Sequence, residues 1–212
     1  MKRLVFFSFL IVLFLVLVAP AVLSLGIRFI PNGNQPPLEK IQGVFWQSDI
    51  EQGFISQKPN LIGIALSIRN LNLKNDKDIT LKLYAENNLL RETTLNGRNI
   101  EDGALVKFLF AEVADSQNNT YRFVLTSPET LGEFPLQVFY TEQKPAWAKD
   151  MQFASKEATG SLSFVTLHRP ASKISLIKEI YKGWLERLYA DKSFFFFYAG
   201  IILCLIALLV IT

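Results

Sequence analysis

The sequence holds one cysteine, Cys204, and one histidine, His168. A lone thiol excludes an intrachain disulfide but leaves the redox compartment open, because many envelope domains have none. Cys204 lies inside an apolar run, where a thiol behaves as a small hydrophobe. A lone histidine argues against a histidine-built metal site and against a Ser/His/Asp set. His168, beside Arg169-Pro170, reads as a strand-end residue. The sequence has no CxxC, P-loop, GxGxxG or GxSxG, so nothing marks a redox, nucleotide or acyl-transfer centre. The chain reads as non-catalytic, with no cofactor and no metal. Adjacent acids, Asp49/Glu51 and Glu101/Asp102, read as solvated turns. With loop carbonyls they are the one calcium candidate, though EF-hand spacing is missing.

Strong charge of one sign is also absent. The net charge of +3 is unevenly laid out. Residues 28–168 hold 14 basic and 16 acidic groups, while 169–193 hold 6 and 3. The basic excess therefore belongs to the flanks and does not suggest nucleic acid.

Two long uncharged runs are present. Ser193–Thr212 is twenty residues without a charge, and Leu4–Ile27 follows Lys2-Arg3 in the same way. A bilayer core takes roughly 20 apolar residues as a helix. Both runs are therefore expected to span a membrane, residues 1–27 as an N-terminal helix or signal anchor and 193–212 as a C-terminal helix. Cleavage after Ala19-Pro20-Ala21 or Val22–Ser24 is the alternative for the first. The basic tip favours a cytoplasmic N-terminus. The expected localisation is a two-pass cell-membrane protein with its middle domain extracytoplasmic and the lipid bilayer as a partner.

Residues 28–168 read as strands. Ile41–Gln47, Gln52–Gln57, Leu61–Arg69, Ile79–Glu86, Leu89–Leu95, Leu105–Val113, Tyr121–Ser127, Phe134–Tyr140 and Ser161–Leu167 each suit a half-buried strand. In Ile79–Glu86, Ile79, Leu81, Leu83 and Ala85 share one face. Turn signals separate the runs: Asn87-Asn88, Asn96-Gly97, Asp102-Gly103, Asn118-Asn119 and Ser127-Pro128. This pattern predicts an all-β sandwich. From Ala171 to Lys192 the period turns helical, with Ile174, Ile177, Ile180/Tyr181, Trp184/Leu185 and Leu188 on one side. Residues 169–192 are thus an amphipathic juxtamembrane helix, lying at the interface or standing as a stalk. The interface residues would be Trp184, Tyr189, Lys178, Lys182 and, at the entry of the last span, Tyr198.

Three pieces carry a resemblance: Gln52–Asn72 (QGFISQKPNLIGIALSIRNLN), Asn99–Pro128 with its Asp115-Ser116 turn into Tyr121-Arg122-Phe123, and Gly160–Pro170 (GSLSFVTLHRP). They resemble the jelly-roll, galactose-binding-like (carbohydrate-binding-module-like) domain of membrane-anchored bacterial envelope proteins. The resemblance implies a jelly-roll fold and a setting near polysaccharide. It implies no catalytic motif.

The binding candidates are aromatic. Val44 and Trp46 share a face that opposes Phe45, so one aromatic must leave the core. Trp147 lies in the long loop expected from Glu142 to Gly160. A loop tryptophan suits stacking on a sugar ring, with Gln143, Lys144, Lys149 and Asp150 nearby as hydrogen-bond partners. A tryptophan folded under its own loop is the plainer alternative. The expected function is a membrane-anchored binding module for an envelope glycan or a partner protein. The alternative is an accessory subunit of a membrane complex, for example in polysaccharide synthesis or export.

Overall fold

The structure, a computed structural model, describes residues 6, 7, 9, 10, 13, 14, 18, 21, 22, 24–33, 35–46 and 48–211. The chain forms two compact units, one from residues 29–169 and one from 1–28 with 170–212.

The first unit is two antiparallel sheets, built from β1 (Ile30–Pro31), β2 (Lys40–Val44), β3 (Ile50–Ile55), β4 (Leu61–Arg69), β5 (Asp78–Ala85), β6 (Asn88–Asn96), β7 (Ala104–Val113), β8 (Thr120–Thr126), β9 (Leu136–Thr141), β10 (Ala148–Phe153), β11 (Lys156–Ala158), β12 (Ser161–Leu162) and β13 (Phe164–His168). One sheet runs β1-β13-β4-β9-β12, with β2 also on β9 and β7 also on β4. The other runs β11-β10-β3-β8-β5-β6. Alternation supplies the facing surfaces. Ile79, Leu81 and Leu83 of β5, Tyr121, Phe123 and Leu125 of β8, and Ile50 and Phe54 of β3 are buried, while their neighbours are not. The β-sandwich expectation is thus met.

At the centre, the Phe164 ring lies edge-on to Phe54 (5.8 Å between centroids), Phe123 (5.1 Å) and Trp147 (4.8 Å). Phe164 belongs to one sheet, and Phe54 and Phe123 to the other. A polar side chain, Gln52, shares this interior. Gln52 of β3 donates from Nε2 to the carbonyls of Gly53 (2.8 Å) and Lys149 (3.1 Å) and accepts at Oε1 from the Leu162 amide (2.8 Å). It is fully buried and crosses from sheet to sheet.

β4 is buried on both faces. Its outer side and that of β13 contribute Ile62, Ala65, Val165 and Leu167, against which Phe29 packs. Gln35 holds the covering segment in place by donating to Ser67 Oγ (2.9 Å) and the Ser163 carbonyl (2.9 Å). The Lys107 ammonium sits 4.9 Å above the Phe29 ring.

The expected loop Glu142–Gly160 is corrected in part, because it contains β10 and β11. The pattern was hidden by a bulge. β10 buries Ala148 and Met151, three residues apart, where its pairing with β3 shifts register. The two-residue turn joining β10 to β11 places Ala154 at φ 48° and Ser155 at φ 62°. Two positive φ values define a type I′ turn, which favours Asn-Gly. Ala154→Asn with Ser155→Gly is expected to stabilise the unit by about 0.5–1 kcal/mol, read as a higher urea midpoint at unchanged m.

The second unit carries α1 (Lys173–Ala190) and α2 (Lys192–Ile211). Ser172 caps α1 by accepting from the Ser175 amide (3.0 Å), and Ser175 Oγ accepts from the Ser172 amide in return (3.0 Å). Here the sequence expectation fails. Among the described residues no helix is long and apolar enough to cross a membrane. α1 has Lys173, Lys178, Glu179, Lys182, Glu186 and Arg187 along its length. α2 begins on Lys192, and its described apolar part falls short of a span. A fold flanked by two transmembrane helices and a two-pass membrane localisation therefore do not stand. Most of the N-terminal run, residues 1–23, lies outside the described residues.

Candidate functional site

The loops at one end of the sandwich are built on buried amides. Asn70, just past β4, donates from Nδ2 to the carbonyls of Asn75 (2.8 Å) and Gly97 (2.9 Å) and accepts from the Asn75 amide (3.0 Å). Asn75 donates from its own Nδ2 to Thr130 Oγ1 (3.0 Å) and the Phe134 carbonyl (2.7 Å) and accepts from the Lys77 amide (2.8 Å). Ser127 shares a hydrogen bond with Thr130 (2.7 Å), and the Thr130 carbonyl accepts from the Trp46 amide (3.1 Å). The loop segments at Trp46, 70–75 and 127–135 are thereby fixed to one another. Gly97 is obligatory here, since a Cβ would meet the Asn75 carbonyl oxygen at 2.5 Å.

What these loops present is apolar. Trp46 is 56 % exposed, Leu73 57 % and Leu131 68 %, and Leu71 and Phe134 are also exposed. The Lys74 ammonium lies 4.9 Å from the Phe134 ring centroid. Leu73 is held at φ 53°, next to Asn72 at φ 54°. A left-handed leucine is strained by an amount on the order of 1 kcal/mol, and such strain gathers at functional loops. Sequence reading found Trp46 but missed the leucines and Phe134. Their signal was present as apolar residues inside turn segments, where burial needs none.

The other tryptophan is placed differently. Trp147 is half-buried, packed at 83° on Phe164, and its carbonyl accepts from the Ile55 amide at 2.8 Å. It is therefore partly a core residue. Around it Gln143, Lys144, Lys149 and Asp150 are exposed, and Lys144 pairs with Asp150 at 3.2 Å. Lys149 and Asp150 lie on β10, not in a loop. Trp46 bonds through its amide to Thr130, whereas Trp147 packs on Phe164. Beside this group Lys40 and Glu142 pair across the surface, and their hydrogen bond raises the lysine pKa and lowers the carboxyl pKa.

In each adjacent acid pair one carboxylate meets an arginine. Glu51 meets Arg122 at 2.7 Å, and Asp102 meets Arg69 at 3.3 Å. Asp76 is held below the usual carboxylate range, first by its hydrogen bond to Arg98 and then by the Lys77 charge. Partial burial raises Asp49. Among the described residues no group of three or more His, Cys, Asp or Glu is placed to hold a metal ion. His168 is buried, with Nδ1 3.0 Å from the Pro59 carbonyl and Nε2 2.8 Å from Thr166 Oγ1.

In the helical unit, Trp184 stacks edge-on with Tyr198 at 5.2 Å. Tyr189 is 88 % exposed, Lys178 is exposed, and Lys182 pairs with Glu186 at 3.8 Å.

By fold the chain is an all-β sandwich with a helical pair. Comparison with known protein families and with curated proteins finds no match for it.

Proposed function

We propose that the sandwich is a non-catalytic binding module that recognises an apolar segment of a partner protein through the loop end bearing Trp46. The supporting observation is the set of exposed large side chains, Trp46, Leu71, Leu73, Leu131 and Phe134, on loops locked by buried Asn70 and Asn75. Exposed apolar groups on a rigid frame mark an interaction surface, and a preorganised one loses little entropy on binding. If the partner is a larger assembly, the chain serves as its accessory subunit.

A second reading is favoured by Trp46 itself. Its exposed ring suits stacking on a sugar, in line with the resemblance to galactose-binding-like jelly rolls. The two readings separate by substitution. Trp46→Ala is expected to leave the melting temperature within about a degree or two, since exposed side chains away from packing cost little. It is expected to weaken partner binding by about 2 kcal/mol, measured by calorimetry on the cross-linked and identified partner. Leu131→Ser is expected to weaken protein binding to a similar extent but to leave retention on immobilised polysaccharides untouched. Retention lost with Trp46→Ala alone selects the glycan. Binding to both kinds of ligand unchanged by either variant refutes the site.

A further inference from the structure

We infer that α1 and the first turns of α2 dock on the surface of an anionic lipid layer, a peripheral contact that needs no spanning helix. Ile174, Ile177, Tyr181, Leu185 and Tyr189 follow one another at three- and four-residue steps along α1, so they form one stripe. Ile174 is 68 % exposed and Tyr189 88 %. Along the stripe Ile174, Leu185 and Tyr189 are exposed, while Ile177 and Tyr181 are half-buried. Trp184 packs on Tyr198, and the Arg187 guanidinium lies 5.1 Å from the Phe194 ring.

Two features choose lipid over a protein as the occupant. The first is charge. Lys182 stands at the edge of the stripe and Lys178 between Leu185 and Tyr189, and with Lys173 and Arg187 they outnumber Glu179 and Glu186. Glu186 is moreover paired to Lys182. A cationic edge beside an apolar stripe, with tyrosine between them, matches a phosphate layer above an acyl layer. The second is extent. Beyond α1 the exposed apolar surface continues through Phe195, Phe196 and Phe197 of α2, three successive residues that point in different directions. A protein laid along one helix face leaves some of these in water. A lipid layer accepts them all.

The test uses the full chain, with Cys204→Ala and Tyr189→Cys carrying an environment-sensitive dye. Vesicles of phosphatidylcholine are compared with vesicles that also contain phosphatidylglycerol. The expected result is a blue shift of the dye with the anionic vesicles, weakened by salt. Each basic residue near such a surface strengthens partitioning on the order of fivefold, so Lys178→Gln with Lys182→Gln is expected to lower it by at least tenfold. Circular dichroism on this neutral variant checks that the helix is retained, and a charge-reversed pair, Lys178→Glu with Lys182→Glu, must weaken it further. Two results overturn the proposal. One is a dye that stays unshifted while the chain floats with the vesicles. The other is a shift that needs no lipid and grows with protein concentration, which assigns the stripe to a second copy.

Discussion

Phe164→Ala is expected to destabilise the sandwich by about 3–5 kcal/mol, read from urea unfolding of the 29–169 unit. Phe164 is fully buried and meets rings from both sheets. Its removal therefore deletes the transfer free energy of a large side chain and leaves a hole bounded by two rigid layers that cannot both relax inward. For a domain of this size, whose whole stability is on the order of 5–15 kcal/mol, that is a large share. The change has a second signature. Trp147 loses the ring it packs on, so its fluorescence shifts to the red before any denaturant is added. A loss below about 1 kcal/mol with unchanged emission would mean that the two sheets do not meet at this residue.

The second large effect belongs to Asn75→Ala, expected to cost about 2–4 kcal/mol. The substitution strands the Lys77 amide and the Phe134 carbonyl and takes one partner from the Thr130 hydroxyl, which keeps its bond to Ser127. A buried polar group left without a partner costs about 1–3 kcal/mol, and the sum is moderated by water entering the gap. Unlike Phe164→Ala, this change acts on function as well. The loops carrying Phe134 and Trp46 lose their common anchor, so partner binding falls even under conditions where the domain remains folded. Hydrogen exchange is expected to show faster opening at residues 70–77 and 127–135 while β5 and β8 stay protected. Uniform loss of protection across all strands would deny the loops their local role.

Much of the sandwich was legible because several strands keep one face wet. β5 and β8 alternate cleanly, and β4, though buried on both sides, announces itself as an unbroken apolar run bounded by turn residues. β10 was not legible. Its bulge sets the buried residues at an odd spacing, and Lys149 and Asp150 on its surface read as loop polarity. The candidate site was half legible. Trp46 could be found because its neighbour Phe45 must face the opposite way. Leu73 could not, because its exposure follows from a left-handed backbone that no local pattern demands. The helical segments show the opposite limit. Hydropathy reads composition along the chain, whereas a span requires a helix of sufficient length and apolarity, and none among the described residues meets that condition.

Gln52 sets the relation of one sheet to the other in a way that hydrophobic contact does not. Apolar layers attract at almost any offset, since area alone governs their affinity. A hydrogen bond has a preferred position, and the amide of Gln52 has one acceptor and two donors all committed, to Leu162 on the facing sheet and to Gly53 and Lys149 on its own. Sliding the sheets by half a strand spacing would keep most of the greasy contact and break the bond to Leu162. The side chain thus works as a dowel between two smooth boards, turning a continuum of sliding offsets into a single alignment.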